Sequence, residues 1–345
     1  MYSKKILVFG ICFCLTVNFV PLDRIVFAAT KSQNNILEKI ITKQSMGHKT
    51  GLLASIEKKL NNREIFDEEL ETLTSKEINL MNTSEKIVTN TEYYSMNDTE
   101  IKKVTKDDIN DVIADNNKNN TNDFANFNVQ KASAKEKENN YMKVSLVYSE
   151  SKGSLYVIGL QEWLTQPKNR SIDVYGIAIE GSNGARFENS TQNASYMYKY
   201  REKYKQNSKT LSDKSYIKTI SPDSSKNMKY ISDMGEDSSY IIGSAVNLKD
   251  DVYEATDEFT RKLTVNSQIC RIAASVKKRK STYVDFKSYY RHAKKKYSMN
   301  NLSFSVGLDS NGPSVEVTYT PGNKKVTTTY SNELNIRLSV DKYVC

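Results

Sequence analysis

Histidine is nearly absent from this chain. His48 and His292 are the only two in 345 residues, so a Ser-His-Asp or Cys-His arrangement would have to be built on one of them. His48 sits in a weakly patterned N-terminal region and His292 in a cationic stretch. No nucleophile elbow, phosphate-cradling glycine loop or paired-histidine metal motif occurs. Cysteine is scarce too. Cys12 and Cys14 fall in an N-terminal apolar run, which leaves Cys270 and Cys345. These two either pair or stay free. In a chain-entropy view so long a bridge contributes about 4 kcal/mol at most. Tryptophan occurs once, at Trp163, and no repeat of fixed period is present. These absences turn the reading away from an enzyme, and they call for no cofactor and no metal.

Lys4 and Lys5 lead into the apolar run Ile6 to Leu22, and the segment closes on Val26-Phe27-Ala28-Ala29. A cationic start, an apolar stretch and a small-residue cleavage site make residues 1–29 a secretory signal peptide, so the expected location is outside the cell. The run is about as long as the shortest membrane spans, but Pro21, Asp23 and Arg24 end it and the cleavage pattern follows at once, which favours removal over anchoring.

The rest is polar, with a mean hydropathy of −0.61 and a net charge of +9. The cation surplus lies after residue 140, and a surface of that sign favours anionic partners. Residues 30–114 read as short helices with thin apolar stripes, such as Leu37, Ile40 and Ile41, or Leu52, Leu53, Ile56 and Leu60. They form a weakly helical region or pro-region. Thr74 before Glu77, and Thr105 before Asp108, match N-caps. The Asn/Lys-rich run 115–140 is too polar to form a core and marks a linker.

From Tyr141 the period becomes two. Met142, Val144, Leu146 and Tyr148 alternate with polar neighbours, and Ser151-Lys152-Gly153-Ser154 turns the chain into Leu155, Val157 and Gly159. Strands are expected at Ser171–Glu180, Tyr240–Leu248, Lys262–Val265 and Ile269–Val276. Leu302–Leu308, Val315–Tyr319 and Leu334–Val340 continue the pattern around Gly, Pro and Asn turns. The fold class is therefore mainly β, an antiparallel sandwich or barrel spanning 141–345. Helical propensity at Tyr196–Lys205 and Asp285–Tyr297 predicts two surface helices.

The acidic group Asp250, Asp251, Glu254, Asp257 and Glu258 matches no calcium loop and reads as a solvated turn. Its carboxylates also allow a hydrolase reading. The basic segment is the sharper signal. Lys277, Lys278, Arg279, Lys280, Lys287, Arg291, Lys294, Lys295 and Lys296 face a single acid, Asp285, and Tyr290 lies among them with Tyr283, Tyr289 and Tyr297. Cations neutralise phosphates and aromatic faces stack on sugars or bases, so this segment is the candidate contact for an anionic cell-envelope polymer or membrane surface. No specific nucleic-acid motif accompanies it. A solvated loop and helix is the plainer alternative. A third function class, membrane activity, rests on the Thr/Ser-rich alternation of Lys325–Val340.

One local segment has character: Glu162-Trp163-Leu164-Thr165-Gln166-Pro167-Lys168-Asn169-Arg170-Ser171-Ile172-Asp173-Val174. It reads as a corner between strands, with Trp163 plugging the core, Pro167 fixing the turn and Arg170 pairing with Asp173. Its Trp-Leu-Thr-x-Pro…Arg…Asp-Val pattern, with the signal peptide, the polar N-terminal stretch and the strand pair of Leu302–Tyr319, resembles a group of uncharacterised secreted and phage-associated proteins of Gram-positive bacteria. The resemblance implies a β-rich extracellular domain and carries no activity or site residues.

Overall fold

The computed structural model describes residues 72–96, 101–110, 140–151, 154–167, 170–180, 185–207, 209–222, 227–232, 238–277, 283–293, 295–309, 312–319, 322, 324–325 and 337–341. All of them belong to one unit, 52–345. The expected signal peptide at 1–29, the Leu37–Leu60 stripes, nearly all of the 115–140 run, most of the Lys325–Val340 alternation and Cys345 lie outside the described residues.

Helix α1 (Ser75–Thr83) starts where the Thr-x-x-Glu spacing predicts. Glu77 N donates to Thr74 Oγ1 at 3.3 Å, and Thr74 N donates back to the Glu77 carboxylate at 2.7 Å. Thr105 and Asp108 make the same exchange at 3.3 and 2.8 Å, around a single 3-10 turn, Asp107–Ile109.

Eighteen strands follow one another among the described residues. They are β1 (Lys86–Met96), β2 (Ile101–Val104), β3 (Asn140–Ser151), β4 (Ser154–Trp163), β5 (Ile172–Glu180), β6 (Arg186–Glu188), β7 (Asn193–Gln206), β8 (Lys209–Ile220), β9 (Met228–Ser232), β10 (Ser238–Ser239), β11 (Ile241–Asn247), β12 (Val252–Ala255), β13 (Phe259–Lys277), β14 (Tyr283–His292), β15 (Leu302–Asp309), β16 (Gly312–Tyr319), β17 (Lys324–Lys325) and β18 (Arg337–Asp341). Every pairing is antiparallel. The large sheet runs β10-β6-β13-β4-β3-β1-β2, with β12 and β7 also on β13 and β8 on β7. The second sheet runs β18-β14-β5-β11-β9, and β15-β16-β17 form a third.

The fold is mainly antiparallel β, as the alternation predicts. Four local expectations need correction. Residues 86–96 and 101–104 are strands rather than helices. β1 pairs along its full length with β3, so this stretch is built into the same sheet as the chain after 140. Tyr196–Lys205 is part of β7 and Asp285–His292 part of β14, where helices were expected. Each is hydrogen-bonded on both edges, and that ladder outweighs local propensity. Finally, Lys262–Val265 and Ile269–Val276 belong to one 19-residue strand, β13, with a bulge between Val265 and Ser267. The bulge adds one residue and flips the side-chain parity: Leu263 and Val265 enter the core before it, Cys270 and Ile272 after it.

The two large sheets pack face to face. Met142, Leu146, Tyr148, Val157 and Ile272 of the first meet Tyr175, Ile177, Ile242, Phe286 and Tyr290 of the second. Both outer faces are covered as well. Ile78 and Met81 of α1 lie on Val147, Tyr156, Ile158 and Ala273. Leu302 and Val317 of the third sheet lie with Val174, Ala178, Ala245 and Tyr289. That is why β3, β4 and β5 are buried on both sides. Tyr289 crosses the second sheet over Gly176 and Gly243, which stand in one row with it; a Cβ on either would collide with the Tyr289 hydroxyl.

Candidate functional site

Trp163 fills the core as expected, at 1% exposure. Its polar neighbours differ from the expectation. The predicted Arg170–Asp173 pair is not formed. Trp163 Nε1 donates to Asp173 Oδ2 at 2.8 Å, and His292 Nδ1 lies 2.6 Å from Asp173 Oδ1. Arg170 instead grips Asp251 at 2.7 and 3.2 Å. Trp163 also meets the rings of Tyr290 and His292 edge-on, at 6.2 and 6.0 Å. His292 and Asp173 are buried at 3% and 0% exposure, so this His–Asp pair ties β5 to β14 inside the protein, away from solvent. Beside it, Tyr196 and Gln268 hydrogen-bond each other and both receive Lys249 N at 2.8 Å.

Cys270 is a buried free thiol. Burial first, and then the nearby Asp173 carboxylate, push its ionisation well up. A neutral buried thiol is inert.

Three members of the acidic group are held by cations. Asp251 pairs with Arg170 and accepts from Val265 N at 2.7 Å, Asp250 pairs with Lys296, and Glu254 pairs with Arg261 at 3.1 Å. They brace the β11–β12 connection and the bulged strand. Among the described residues no group of His, Cys, Asp and Glu is arranged to hold a metal ion.

The basic segment is spread out. Lys287 and Tyr290 are buried at 3% and 1% exposure, on opposite faces of β14, and are not surface contacts. Arg291 is half-buried. Lys277 precedes β14 and lies 3.5 Å from Glu188, whereas exposed Lys295 and Lys296 follow it. The ten residues of β14 separate those ends by about 30 Å. Lys278, Arg279, Lys280 and Lys294 lie outside the described residues.

A more concentrated basic surface lies elsewhere. β8, β7, the first part of β13 and β12 form a four-stranded platform that extends the large sheet. Along β7, residues of one parity place Lys199, Arg201, Lys203 and Lys205 on one face. Register brings Lys262 of β13 opposite Lys203, with Tyr253 of β12 opposite Lys262. Among the described residues, Asp213 of β8 is the only carboxylate that the register puts in these rows. It accepts from Arg201 at 2.5 and 2.9 Å and lies 3.5 Å from Lys203. Those contacts, the Arg201 hydrogen bond first, hold its carboxyl below the usual carboxylate range. Tyr253 is 70% exposed and Ile217 of β8 54%. Lysine stems packed between strands carry their charged ends outward.

The platform's other face carries the tyrosines. Tyr196, Tyr198 and Tyr200 line up at 5.5 and 5.6 Å, and Tyr200 stacks on Tyr216 at 5.3 Å. Tyr196 and Tyr198 are buried in the core between the sheets. The sequence does contain this surface: Tyr198-Lys199-Tyr200-Arg201 alternates aromatic and cationic residues with period two. Read as helical, it conceals the cation row.

No family model matches the chain, and no curated protein is similar to it.

Proposed function

We propose that this is a secreted, non-enzymatic protein that binds an anionic polymer of the cell envelope. The observation that carries the reading is the platform face, where five cations in adjacent register rows accompany one carboxylate. A surface of fixed positive charge releases counterions from a polyanion when it binds, and this drives association at low salt. The exposed Lys295 adds positive charge at another point of the surface, whereas Lys277 and Lys296 are matched by Glu188 and Asp250. The ion pairs of Asp250, Asp251 and Glu254 favour a structural role for the acidic group over a hydrolytic one. Export through the segment 1–29 places the protein beside such polymers.

Retention of the full secreted chain on isolated cell walls tests the reading. The expected result is binding at low salt that falls steeply between about 50 and 200 mM. A chain that does not bind walls or any soluble polyanion at low salt overturns it.

A second reading, membrane activity, is favoured by a specific feature: β8, a sheet edge, exposes Leu211, Tyr216 and Ile217. Dye release from anionic liposomes separates it from simple wall binding, which leaves vesicles intact.

A further inference from the structure

We infer that the platform face binds a linear phosphodiester polymer with small polyol units, lying along β7. The inference rests on the polyanion-binding reading and names its ligand class.

Residues i and i+2 of a strand share a face and stand about 6.8 Å apart. Lys199, Arg201, Lys203 and Lys205 thus form a straight row of four cations. In a poly(glycerol phosphate) chain six bonds separate successive phosphorus atoms. A three-bond peptide unit spans about 3.8 Å, so those phosphorus atoms are about 7.6 Å apart at full extension, and closer when slightly contracted. One phosphate then faces each cation in turn. A uronic-acid polysaccharide, with its charges on bulky rings, has no such simple match.

Hydroxyls stand between the cations. Ser215, Thr219, Thr260 and Thr264 share the face by register with Arg201, Met197, Lys205 and Arg201. Hydroxyls of this kind exchange hydrogen bonds with polyol hydroxyls and phosphate oxygens. Sequence-tolerant binding of single-stranded nucleic acid needs several stacking rings. Here Tyr253 is the only aromatic residue in the face's register rows, because Tyr198, Tyr200 and Tyr216 belong to the opposite face. A polymer without bases therefore fits better.

β8 is exposed along nearly its whole length and, among the described residues, pairs with β7 alone. A long polymer can enter and leave over this edge without any end having to thread.

The test uses the full chain and purified poly(glycerol phosphate), with single-stranded DNA and a uronic-acid polysaccharide in parallel. Binding is measured across a salt series. Lys199→Gln, Lys203→Gln, Lys205→Gln and Lys262→Gln are combined in one variant, which leaves the Arg201–Asp213 pair intact. A control variant, Lys209→Gln, Lys214→Gln and Lys218→Gln, changes the platform elsewhere. The expected result is tight binding of poly(glycerol phosphate), at least tenfold weaker in the first variant. The log–log salt slope should shrink by about 3 for the four lost cations, and the control should stay close to the parent. If the first variant loses its native melt, the single variant Lys205→Gln, at an exposed position, should still flatten the slope by about 0.7. Equal loss in the control, or an unchanged slope in the first variant, overturns the assignment to this face. Preference for DNA or the uronic-acid polymer overturns the ligand class and leaves polyanion binding standing. Absence of binding to all three probes removes both.

Discussion

Arg271 of β13 and Glu77 of α1 form an ion pair in which both side chains are 1% exposed, although 194 residues separate them in sequence. Tyr156 also donates to Glu77, at 3.0 Å. Arg271 Nε donates to Ser195 Oγ at 3.1 Å, and the guanidinium reaches Asn193. This network pins α1 to the outer face of the large sheet. Removing one partner leaves the other charge buried. Glu77→Ala is expected to cost about 3–5 kcal/mol in urea unfolding, and Glu77→Leu with Arg271→Met should recover most of it. Equal loss in single and double variants would contradict the pairing.

The same contacts bear on whether residues 30–140 act as a removable pro-region. A chain starting at Tyr141 lacks Glu77 and the whole of β1, exposes the edge of β3 and leaves Arg271 without its carboxylate. It should be markedly less stable than a chain starting at Thr30 and prone to self-association through the opened edge. Size-exclusion chromatography and thermal melts of the two chains decide this.

The single tryptophan is a built-in reporter. Trp163 is buried against Tyr290 and His292 and donates to Asp173. Its emission should be blue-shifted in the native state and move red on unfolding, in step with circular dichroism. Trp163→Ala should cost about 3–5 kcal/mol. Asp173→Ala removes a carboxylate that two side chains share and should cost a similar amount, because both polar groups lose their buried partner.

Some of this was legible in the letters and some was not. Two-residue hairpin loops are marked by their turn residues: Ser151 pairs with Ser154, and Asp309 with Gly312. The alternation of Met142 to Tyr148 marks β3 and its core face. Three things hid the rest. The bulge in β13 breaks the period, so one strand looks like two. β7 carries Lys199, Arg201, Glu202, Lys203 and Lys205, and β14 carries Lys287 and Arg291; local propensity favours helix for these residues, and only pairing on both edges extends the two segments. The Glu77–Arg271 pair depends on topology, and nothing local to either residue announces it. For the candidate site, the cation-dense segment after Cys270 drew attention by composition. The platform face depends on register across strands, which composition does not show.

Cys270 offers a simple chemical check. Burial holds its thiol protonated at neutral pH, and the thiolate is the reactive form. A small alkylating reagent should leave Cys270 unmodified in the native protein and label it fully in guanidinium, as read by mass spectrometry of the peptide. Fast native labelling would contradict the packing of β13.

Asp213 links stability to acid on the platform. Its carboxyl is lowered from 3.8, first by the Arg201 hydrogen bond and then by the charges of Arg201 and Lys203. A depressed folded-state value means that the unfolded chain takes up the proton first as pH falls. The contribution of Asp213 is therefore complete above 3.8 and disappears as pH drops through the lowered folded value. Asp213→Asn should melt lower than the parent at pH 6, and the gap should close in strongly acid solution. The same substitution removes the only carboxylate in the rows that hold Lys199 to Lys205, so it should tighten polyanion binding at low salt while weakening the fold. Opposite signs for stability and affinity in one variant follow from an acid that orders Arg201 and also opposes an anionic ligand. Equal signs would mean that the ligand does not lie on this face.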